Sequence, residues 1–387
     1  MKWEMKTLNE LGFVGRGKSR HRPRNAEHLY GGIYPLIQTG DIQNANFYIT
    51  KYSQTYSEEG LAQSKLWKEG TLVISIVGAN TAETAILGFD ACFPDSVIGF
   101  IPYEGISDAK FVKYTLECLK NHLKGISEGT ARENLSLEKL LSVKTSIPSF
   151  PIQRKIASIL SAYDDLIDNN LKRIKLLEEK AFLRYKGIVR EEEMEEFFIE
   201  EVCETLGGGT PSTGDRRFWD EGEILWFSPT DLTKHNSIVL IDSDKKITEL
   251  GLQKSSAKLV PPKTILMTSR ASIGYFGLIN KPASTNQGFI NITPFNENHS
   301  AYMLFDLKNR KEEIIGNANG STFLEISKGK FRQMKIKLPK NENVSVNFER
   351  EFKITFNFIE NLLKQNAKLR EARDILLPKL MNGQIEV

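Results

Sequence analysis

The segments Ile167-Asp168-Asn169-Asn170-Leu171-Lys172 and Ile359-Glu360-Asn361-Leu362-Leu363-Lys364 decide the architecture of this chain. Both run from an apolar residue through an acid and an amide to a lysine, and Ile359 stands 192 positions after Ile167. That offset is close to half of the 387 residues. Because an internal repeat sets the fold of a whole chain, the two segments predict that both halves share one structure.

Further matches occur in the same order along both halves. They are Gly15-Arg16-Gly17 with Gly207-Gly208-Gly209, Leu36-Ile37-Gln38-Thr39-Gly40-Asp41-Ile42 with Trp226-Phe227-Ser228-Pro229-Thr230-Asp231-Leu232, Thr71-Leu72-Val73-Ile74-Ser75 with Thr264-Ile265-Leu266-Met267-Thr268, Val97-Ile98 with Phe289-Ile290, Gly129-Thr130 with Gly320-Ser321, and Ile147-Pro148 with Leu338-Pro339. Each match alone is weak. Their shared order and nearly constant offset predict two copies of one unit.

Each unit combines a globular part with one long helix. Residues 71–77 and 264–268 are predicted to be buried strands, and residues 110–123 and 301–315 are predicted to be helices. The fold class is therefore α/β (mixed α+β), with two globular domains joined by two long antiparallel coiled-coil helices in a pseudo-twofold repeat. The predicted segments are a first domain, a central helix, a second domain and a C-terminal helix, at 1–147, 148–196, 197–338 and 339–387.

Both long helices carry apolar residues every seven positions, which is typical of helices that coil around each other. The predicted seam of the helix pair consists of Leu160, Tyr163, Ile167, Asn170, Ile174, Leu177, Phe352, Ile359, Leu362, Asn366 and Leu369. In an antiparallel pair the two asparagines face each other, and such a pair fixes register at some cost in stability. The alternative is that each helix lies on its own globule.

The composition is ordinary for a globular protein and excludes several classes. Charged residues make up 26%, hydrophobic residues 40%, and the formal net charge is +3. These values exclude a disordered, collagen-like or membrane-embedded chain, and the length predicts two or three domains. Cys92, Cys118 and Cys203 are far apart, which favours reduced thiols and a cytoplasmic location. The histidines are scattered, so no metal site is expected.

Residues 14–25 form a basic segment that contains no acidic residue. A loop rich in glycine and arginine can approach phosphates closely and can contact guanine with two hydrogen bonds. Its candidate DNA-binding residues are Arg16, Lys18, Arg20, Arg22 and Arg24. The alternative is a basic loop that is only solvated. The acidic residues at 191–196 are predicted to be a solvated connector.

The second half offers a different set of candidate DNA contacts. The cations are Arg216, Arg217, Arg270 and Lys328. Amide side chains can pair with the edge of adenine, and the candidates of this type are Asn286 and Gln287, together with Gln38 of the first half. Taken singly, each amide is equally well explained as a polar group at the end of a strand.

Several motifs of common enzymes are absent from the sequence. The run Gly207-Gly208-Gly209-Thr210-Pro211-Ser212 lacks the Gly-Lys-Ser/Thr ending of a P-loop. There is no Gly-x-Gly-x-x-Gly fingerprint, no Asn-Pro-Pro-aromatic motif and no His-Glu-x-x-His. No catalytic residues are therefore predicted, and the sequence favours binding over catalysis.

Several motifs together resemble those of the DNA-specificity (S) subunits of type I restriction–modification systems, over the whole length. They are Gly208-Gly209-Thr210-Pro211-Ser212, Trp226-Phe227-Ser228-Pro229-Thr230-Asp231-Leu232, Ile265-Leu266-Met267-Thr268-Ser269-Arg270-Ala271-Ser272-Ile273-Gly274, Thr285-Asn286-Gln287-Gly288-Phe289, Gly320-Ser321-Thr322-Phe323, Glu325-Ile326-Ser327-Lys328 and Leu376-Leu377-Pro378-Lys379-Leu380-Met381-Asn382-Gly383. Within these motifs, Ser228, Thr230 and Ser272 join the candidate DNA contacts.

The resemblance implies a non-catalytic subunit whose two target recognition domains each read one half of a split double-stranded DNA target. The helices would set the gap between the halves and hold two modification (methyltransferase) subunits. Two restriction subunits (ATP-dependent translocase and nuclease) would complete the complex. S-adenosylmethionine, ATP and magnesium would belong to those partners, so this chain is expected to need no cofactor and no membrane.

The first domain departs from the pattern of the second. It has Gly15-Arg16-Gly17-Lys18-Ser19 at the glycine-rich loop, and Val77-Gly78 where Arg270-Ala271 stands. The two domains are therefore expected to read different sequences. Two other function classes stay open at this point, namely a stand-alone methyltransferase or nuclease and a scaffold that binds only protein.

Overall fold

The computed structural model describes residues 3–127, 134–234, 237–320 and 324–387. Gly129 and Thr130 of the predicted repeat, residues 321–323 of the predicted motifs, and His235 lie outside the described residues. The chain divides into two compact units. Unit 1 comprises Met1–Asp168 and Ala367–Val387, and unit 2 comprises Asn169–Asn366. The boundaries between these units differ from those of the four predicted segments, because each unit includes part of both long helices.

Unit 1 is built from short strands and short helices around part of the helix pair. Its strands are β1 (Glu4–Lys6), β2 (Gly12–Arg16), β3 (Tyr30–Leu36), β4 (Tyr48–Ile49), β5 (Gln54–Tyr56), β6 (Leu66–Trp67), β7 (Leu72–Ser75), β8 (Thr84–Leu87), β9 (Ala91–Cys92), β10 (Val97–Pro102) and β11 (Thr145–Ile147). Its short helices are α1 (Leu8–Leu11), α2 (Thr39–Gln43), α3 (Glu58–Ala62), α4 (Ala109–Cys118), α5 (Lys120–Ser127) and α6 (Leu137–Ser142).

Unit 2 is built in the same way, and the long helices α7 (Phe150–Glu191) and α14 (Glu342–Met381) contribute to both units. The strands of unit 2 are β12 (Met194–Phe198), β13 (Cys203–Gly207), β14 (Ile224–Phe227), β15 (Val239–Leu240), β16 (Lys245–Ile247), β17 (Ile265–Thr268), β18 (Phe276–Ile279), β19 (Ala283–Thr285), β20 (Phe289–Pro294) and β21 (Lys335–Pro339). Its short helices are α8 (Ile199–Val202), α9 (Pro229–Lys234), α10 (Glu249–Gln253), α11 (Ser300–Asn309), α12 (Lys311–Gly316) and α13 (Lys328–Arg332).

The two units have the same sheet topology. The five-stranded sheet has the order β2-β10-β7-β8-β4 in unit 1 and β13-β20-β17-β18-β15 in unit 2. A second sheet has the order β5-β3-β9-β6 in unit 1 and β16-β14-β19 in unit 2, where an isolated bridge between Val260 and Ala283 takes the place of β6. A two-stranded ladder, β1-β11 or β12-β21, completes each unit. The predicted internal repeat and mixed fold class are confirmed.

The central strands β7 and β17 lie within the regions predicted from their apolar runs, and every residue of both is buried. Two predicted helices are each divided in two. Residues 110–123 fall on α4 and α5, and residues 301–315 fall on α11 and α12. The break in the first case follows the apolar pattern, because Phe111–Leu116 of α4 are buried whereas Lys120 opens a more polar segment.

In unit 2 the long helices pack against each other as an antiparallel pair. Asn170 Nδ2 donates to Asn366 Oδ1 at 2.9 Å, and both side chains are buried. Further along, Arg184 Nε donates to Glu351 Oε2 at 3.2 Å, so α14 runs backwards as α7 advances. The predicted facing of the two asparagines is confirmed. The two amides are hydrogen-bonded to each other within an apolar seam, and this bond fixes the register of the two helices.

The other predicted seam residues are at least half-buried. Leu160, Ile167, Ile174, Phe352, Ile359 and Leu362 are buried, whereas Tyr163, Leu177 and Leu369 are half-buried. In unit 2 the seam shares one core with the sheet, since Ile174 and Phe352 pack in the same cluster as strand residue Ile265. In unit 1, Leu160 shares a core with Leu8 and Leu380. The helices therefore both pair and lie on a globule, so the two alternatives of the sequence are both realised.

A buried tyrosine and carboxylate connect the helix pair to the globular part of each unit. In unit 1, the Tyr114 hydroxyl of α4 donates to Asp164 of α7, which also accepts from Arg373 of α14. In unit 2, the Tyr185 hydroxyl of α7 donates to Asp306 Oδ1 of α11 at 3.0 Å. Burial raises the pKa of Asp306 and of both phenols.

The acidic residues at 191–196 are exposed, as the sequence predicts, but the segment is more than a connector. Its second half enters strand β12, which pairs with β21. Glu196 contacts Lys335 at 2.5 Å and Glu193 contacts Lys340 at 2.9 Å. The charges stay exposed, but basic residues of β21 and of the position after it stand opposite, so the run forms a charged ladder.

We predict that Asp164→Ala destabilises unit 1 strongly. The substitution leaves the half-buried guanidinium of Arg373 and the buried phenol of Tyr114 without the carboxylate that both contact. Removing one member of a buried ion pair costs about 3–5 kcal/mol. The measurement is the urea midpoint of the full chain, followed by fluorescence and by circular dichroism.

Asp374→Ala is the matched control for this test, because the Asp374 carboxylate also contacts Arg373 but is 60% exposed. An exposed ion pair contributes at most about 1 kcal/mol. Equal shifts of the urea midpoint for the two variants would show that burial does not set the contribution of Asp164.

Candidate nucleic-acid interface

A glycine-containing loop follows the first strand of the five-stranded sheet in each unit. Arg16, the last residue of β2, is paired with Ile98, and Gly207, the last residue of β13, is paired with Ile290. Because Ile98 and Ile290 are repeat partners, Arg16 corresponds to Gly207 and Gly17 to Gly208. The predicted match of Gly15-Arg16-Gly17 with 207–209 is therefore displaced by one residue.

Gly17 and Gly208 have to be glycine for the same structural reason in the two units. A Cβ at Gly17 would lie 2.2 Å from the Phe93 carbonyl oxygen, and one at Gly208 would lie 2.1 Å from the Asn286 carbonyl oxygen. Neither position has room for a side chain. The loop thus lies directly against the turn that follows β9 in unit 1 and β19 in unit 2.

In unit 1 the basic loop is held by its backbone, which leaves its cations outward. Gln63 Oε1 accepts from the amides of Arg20 and His21, at 2.6 and 3.1 Å. Ser64 Oγ donates to the Lys18 carbonyl oxygen at 2.9 Å. The side chains of Arg16, Lys18 and Arg20 are exposed, and they contact no carboxylate within the described part of the chain.

Arg22 and Arg24 are also exposed, but each contacts another group of the chain. Arg22 Nη1 donates to the carbonyl oxygens of Ser19 and His21, both at 2.7 Å. Arg24 Nη2 lies 2.9 Å from both carboxylate oxygens of Asp95. All five predicted cations of this loop are therefore exposed, but two of them brace the loop through their side chains and three have no such contact among the described residues.

Lys65 extends this basic surface, although no sequence pattern pointed to it. Its Nζ lies 3.6 Å from the centre of the Trp67 ring, in a cation–π contact. Burial lowers the pKa of Lys65, and the positive charge of Lys18 lowers it further. Lys65 and Gln63 come from the segment before β6, more than 40 positions after the loop they support.

In unit 2 the glycine loop and the 285–288 turn form one surface. The Gly209 amide donates to the Thr285 carbonyl oxygen at 2.8 Å, and the Thr210 hydroxyl donates to Gln287 Oε1. Trp226 Nε1 donates to the Gly209 carbonyl oxygen at 2.9 Å, which fixes the loop from below. Lys328 closes the side, since its Nζ would be 3.3 Å from a Cβ at Gly207.

Arg270 joins this surface through its neighbour Ser269. The Ser269 amide donates to the Gly288 carbonyl oxygen at 2.8 Å. Arg270 itself donates from Nε and Nη2 to the two carboxylate oxygens of Glu325, each at 3.0 Å. We call Thr210, Arg270, Asn286, Gln287 and Lys328 the second-unit surface.

The other predicted residues of unit 2 are occupied locally. Arg216 forms an ion pair with Asp220 at 2.8 Å. Arg217 does so with Asp215, which lowers the pKa of that carboxyl. Ser272 and Thr230 are exposed, and the Ser272 carbonyl oxygen accepts from the Thr268 hydroxyl. Neither arginine has a described contact with the second-unit surface.

Gln38 and Ser228 occupy the same turn in the two units. The Gln38 amide donates to Asp41 Oδ2 at 2.7 Å, and the Ser228 amide donates to Asp231 Oδ2 at 2.8 Å. This turn opens α2 in one unit and α9 in the other. Gln38 Nε2 also donates to Gln54 at 3.3 Å, so its amide is held near strand β5.

A family model described as the type I restriction modification DNA specificity domain matches the chain twice, at residues 1–179 and 191–371. The chain belongs to this family. The first match extends from the globular part into α7, and the second extends from the last residue of α7 into α14, so each match covers one globular part and part of a long helix.

Among curated relatives, the type I restriction enzyme MjaIX specificity subunit of Methanocaldococcus jannaschii is 33% identical over 175 residues, which is 45% of this chain and 39% of that protein. The HindI specificity subunit of Haemophilus influenzae is 25% identical over 190 residues, covering 48% of this chain and 40% of that protein. The matched part thus spans less than half the length of these relatives. The MjaVIII specificity subunit of Methanocaldococcus jannaschii is 22% identical over 100% of this chain and 93% of that protein.

Among solved structures, the S subunit of a type I restriction–modification system from M. genitalium has a TM-score of 0.59 at 16% identity. The alignment covers 98% of this chain and 96% of that chain. At this identity the likeness concerns the fold alone.

The two copies of the specificity domain share a backbone but carry different side chains at the candidate surface. The Ile76 amide donates to the Ser96 carbonyl oxygen at 3.1 Å, as Ser269 does to Gly288. The next two residues therefore correspond, and the second of them has a positive φ in both copies, +61° at Gly78 and +59° at Ala271. By this register the pairs are Val77 with Arg270, Pro94 with Asn286, and Asp95 with Gln287.

Other kinds of site are absent from the part of the chain that the structure describes. There is no group of His, Cys, Asp or Glu side chains that could hold a metal ion. The three cysteines are free, and burial raises the pKa of Cys118 to about 11 and that of Cys203 to about 12. No helix within residues 3–127, 134–234, 237–320 and 324–387 is long and apolar enough to cross a membrane.

We predict that Gly208→Ala destabilises the second-unit surface. Its Cβ would lie 2.1 and 2.3 Å from two carbonyl oxygens, and overpacking of this kind costs about 1–3 kcal/mol. The displaced loop would lose the hydrogen bond from the Gly209 amide to Thr285. The measurement is hydrogen exchange of that amide, together with the midpoint of thermal unfolding.

Gly214→Ala is the control in the same loop. Its Cβ would lie 3.9 Å from Ser212 Oγ, an ordinary contact distance. Unchanged exchange of the Gly209 amide in Gly208→Ala would contradict the assigned role of the glycine.

Proposed function

We propose that this chain is the DNA-recognition subunit of a type I restriction–modification complex and carries no catalytic group of its own. Each recognition domain reads one half of a split double-stranded target. The proposal rests above all on one observation: the same backbone site occurs twice and carries different hydrogen-bonding side chains. A protein that reads two different half-sites needs this combination, because backbone geometry positions the contacts and side chains specify the bases.

The charges support a division between phosphate contacts and base contacts. In unit 1, Arg16, Lys18 and Arg20 are exposed without a carboxylate partner among described residues, which suits contact with phosphates. In unit 2, Asn286 and Gln287 lie beside the glycine loop, which suits contact with base edges. Unit 1 would then contribute more to the salt-dependent affinity, and unit 2 more to sequence preference.

The helix pair would set the distance between the half-sites and hold two modification subunits, and two restriction subunits would complete the nuclease. The seam supports a ruler, because the Asn170–Asn366 pair allows one register only. The predicted segments 1–147, 148–196, 197–338 and 339–387 remain the proposed functional division. S-adenosylmethionine, ATP and magnesium would be bound by the partner subunits.

The test is methylation of a random-sequence DNA library by the full chain assembled with the modification subunits of its own system. We expect a split motif of two defined half-sites at a fixed spacing. Methylation by the purified chain alone would favour a stand-alone enzyme instead. Failure to bind any DNA with the modification subunits present would favour a protein-only scaffold.

We predict that variants in the two units relax different halves of the motif. The double variant Asn286→Ala and Gln287→Ala should lose discrimination in one half-site only, by about 1–3 kcal/mol for each base that is no longer read. Arg20→Ala should instead lower affinity for all sequences and reduce the salt dependence, as the removal of one phosphate-binding cation does. The measurement is the methylated motif of each variant and its binding at several salt concentrations.

Each variant is the control for the other, since both leave the opposite unit intact. If the amide variant relaxed both half-sites, or neither, the assignment of one half-site to each unit would be wrong.

A further inference from the structure

The ion pair between Arg270 and Glu325 is held in a fixed geometry from both sides. The Ala271 amide donates to the Leu324 carbonyl oxygen, and the Ile326 amide donates to the Ser269 carbonyl oxygen, both at 3.0 Å. These backbone hydrogen bonds hold the two residues side by side independently of the contact between their side chains. Their contact is bidentate, with the guanidinium and the carboxylate edge to edge.

The fold does not need this pair. In unit 1 the Leu135 amide donates to the Ile76 carbonyl oxygen at 3.0 Å, which is the counterpart of the bond from Ile326 to Ser269. The positions of Arg270 and Glu325 are there filled by Val77 and Asn134. The same backbone therefore forms without two opposite charges. The Arg270 and Glu325 side chains are 50% and 42% exposed, and exposed ion pairs contribute little to stability.

The pair leaves one edge of the guanidinium available. Glu325 accepts one hydrogen bond from Nε and one from Nη2, which leaves the second hydrogen of Nη2. No described residue accepts a hydrogen bond from Nη1. The Nη1–Nη2 edge is therefore free to donate two parallel hydrogen bonds. Guanine presents two acceptors, N7 and O6, in the major groove, and arginine commonly contacts both.

The neighbouring amides also present donors. The Asn286 side-chain oxygen accepts from the Gly288 amide at 2.8 Å, and the Gln287 side-chain oxygen accepts from Thr210. Both oxygens are turned into the protein, whereas no described residue accepts from Asn286 Nδ2 or Gln287 Nε2. Paired contact with adenine would require an amide oxygen to face the base. The surface thus offers donors, which match the acceptors of guanine.

We propose that Arg270 reads a guanine in the half-site of unit 2 through its Nη1–Nη2 edge, and that Glu325 is the positioning residue that orients it. This inference rests on the proposed function and adds the base that is read. Glu325 restricts the rotation of a long, flexible side chain, so less entropy is lost when the base is bound. It also lowers the positive charge at this point, which disfavours contact with any phosphate.

The experiment uses the full chain assembled with its modification subunits and duplexes that carry the methylated motif. Each guanine of the unit 2 half-site is replaced in turn by 7-deazaguanine, which lacks the N7 acceptor, or by inosine, which keeps both N7 and O6. At one position we expect 7-deazaguanine to weaken binding about 10-fold and inosine to be tolerated. In Arg270→Ala the same 7-deazaguanine should cause no additional loss.

Glu325→Gln tests the positioning role. Affinity for non-specific DNA should stay the same or rise, whereas preference for guanine at that position should fall about 10-fold. Arg270→Lys keeps the charge but not the planar fork, so it should lose the preference and keep non-specific binding. Glu313→Gln is the matched control, because Glu313 also forms a two-bond contact with an arginine, Arg310, at 2.9 and 3.2 Å. Thermal unfolding of every variant verifies that it folds.

Two results would overturn the inference. One is that 7-deazaguanine weakens binding at no position of the unit 2 half-site, or weakens Arg270→Ala as much as the parent. The other is that the Arg270 variants lower affinity for all sequences equally, which would make Arg270 a phosphate contact. If the unmodified complex has no sequence preference at all, the proposed function itself fails, so the two failures are distinguishable.

Discussion

The antiparallel packing of α7 on α14 is the constraint on which the rest of each unit depends. The two helices are 42 and 40 residues long, and both bury an apolar seam. An apolar seam alone would tolerate a shift along the helices, because one leucine replaces another with little loss. The Asn170–Asn366 bond in unit 2 and the Asp164–Arg373 contact in unit 1 do not tolerate it. A shifted register would leave buried polar groups without these partners.

The helix pair also completes the core of each globule. In unit 2, Ile174, Phe352 and strand residue Ile265 belong to one apolar cluster, and Tyr185 connects α7 to the buried Asp306. In unit 1, Asp164 connects α7 to Tyr114. A recognition domain and its part of the helix pair therefore stabilise each other. This explains why contact divides the chain through the long helices instead of at their ends.

Much of this fold could be predicted because it leaves a periodic or repeated trace in the sequence. The heptads, the paired asparagines and the buried central strands were all legible, since each depends on apolar spacing. The division of α4 from α5 and the entry of residues 194–196 into a strand were not, because tertiary partners decide both. Of the candidate site, the glycine loop and the 285–288 turn were found from their composition. Gln63, Lys65 and Glu325 were missed, because each acts through a contact with a distant segment.

The comparison of the two copies shows how such a domain can change its surface side chains without changing its fold. The close approach at Gly17 and Gly208 is obligatory, since any side chain would meet a carbonyl oxygen. The side chains at the positions around it are not fixed in this way, because Val77 and Arg270 occupy equivalent backbone positions in the two units. A substitution there alters donors and charge on an exposed surface at little cost in folding free energy.

The net charge of +3 averages over these differences. It hides a unit 1 loop with five exposed cations, of which only Arg24 contacts a carboxylate among the described residues, and a unit 2 in which every candidate arginine contacts one. These carboxylates lower the positive charge of unit 2, so under the proposed function its contacts with DNA would depend on the placement of its hydrogen-bond donors more than on charge.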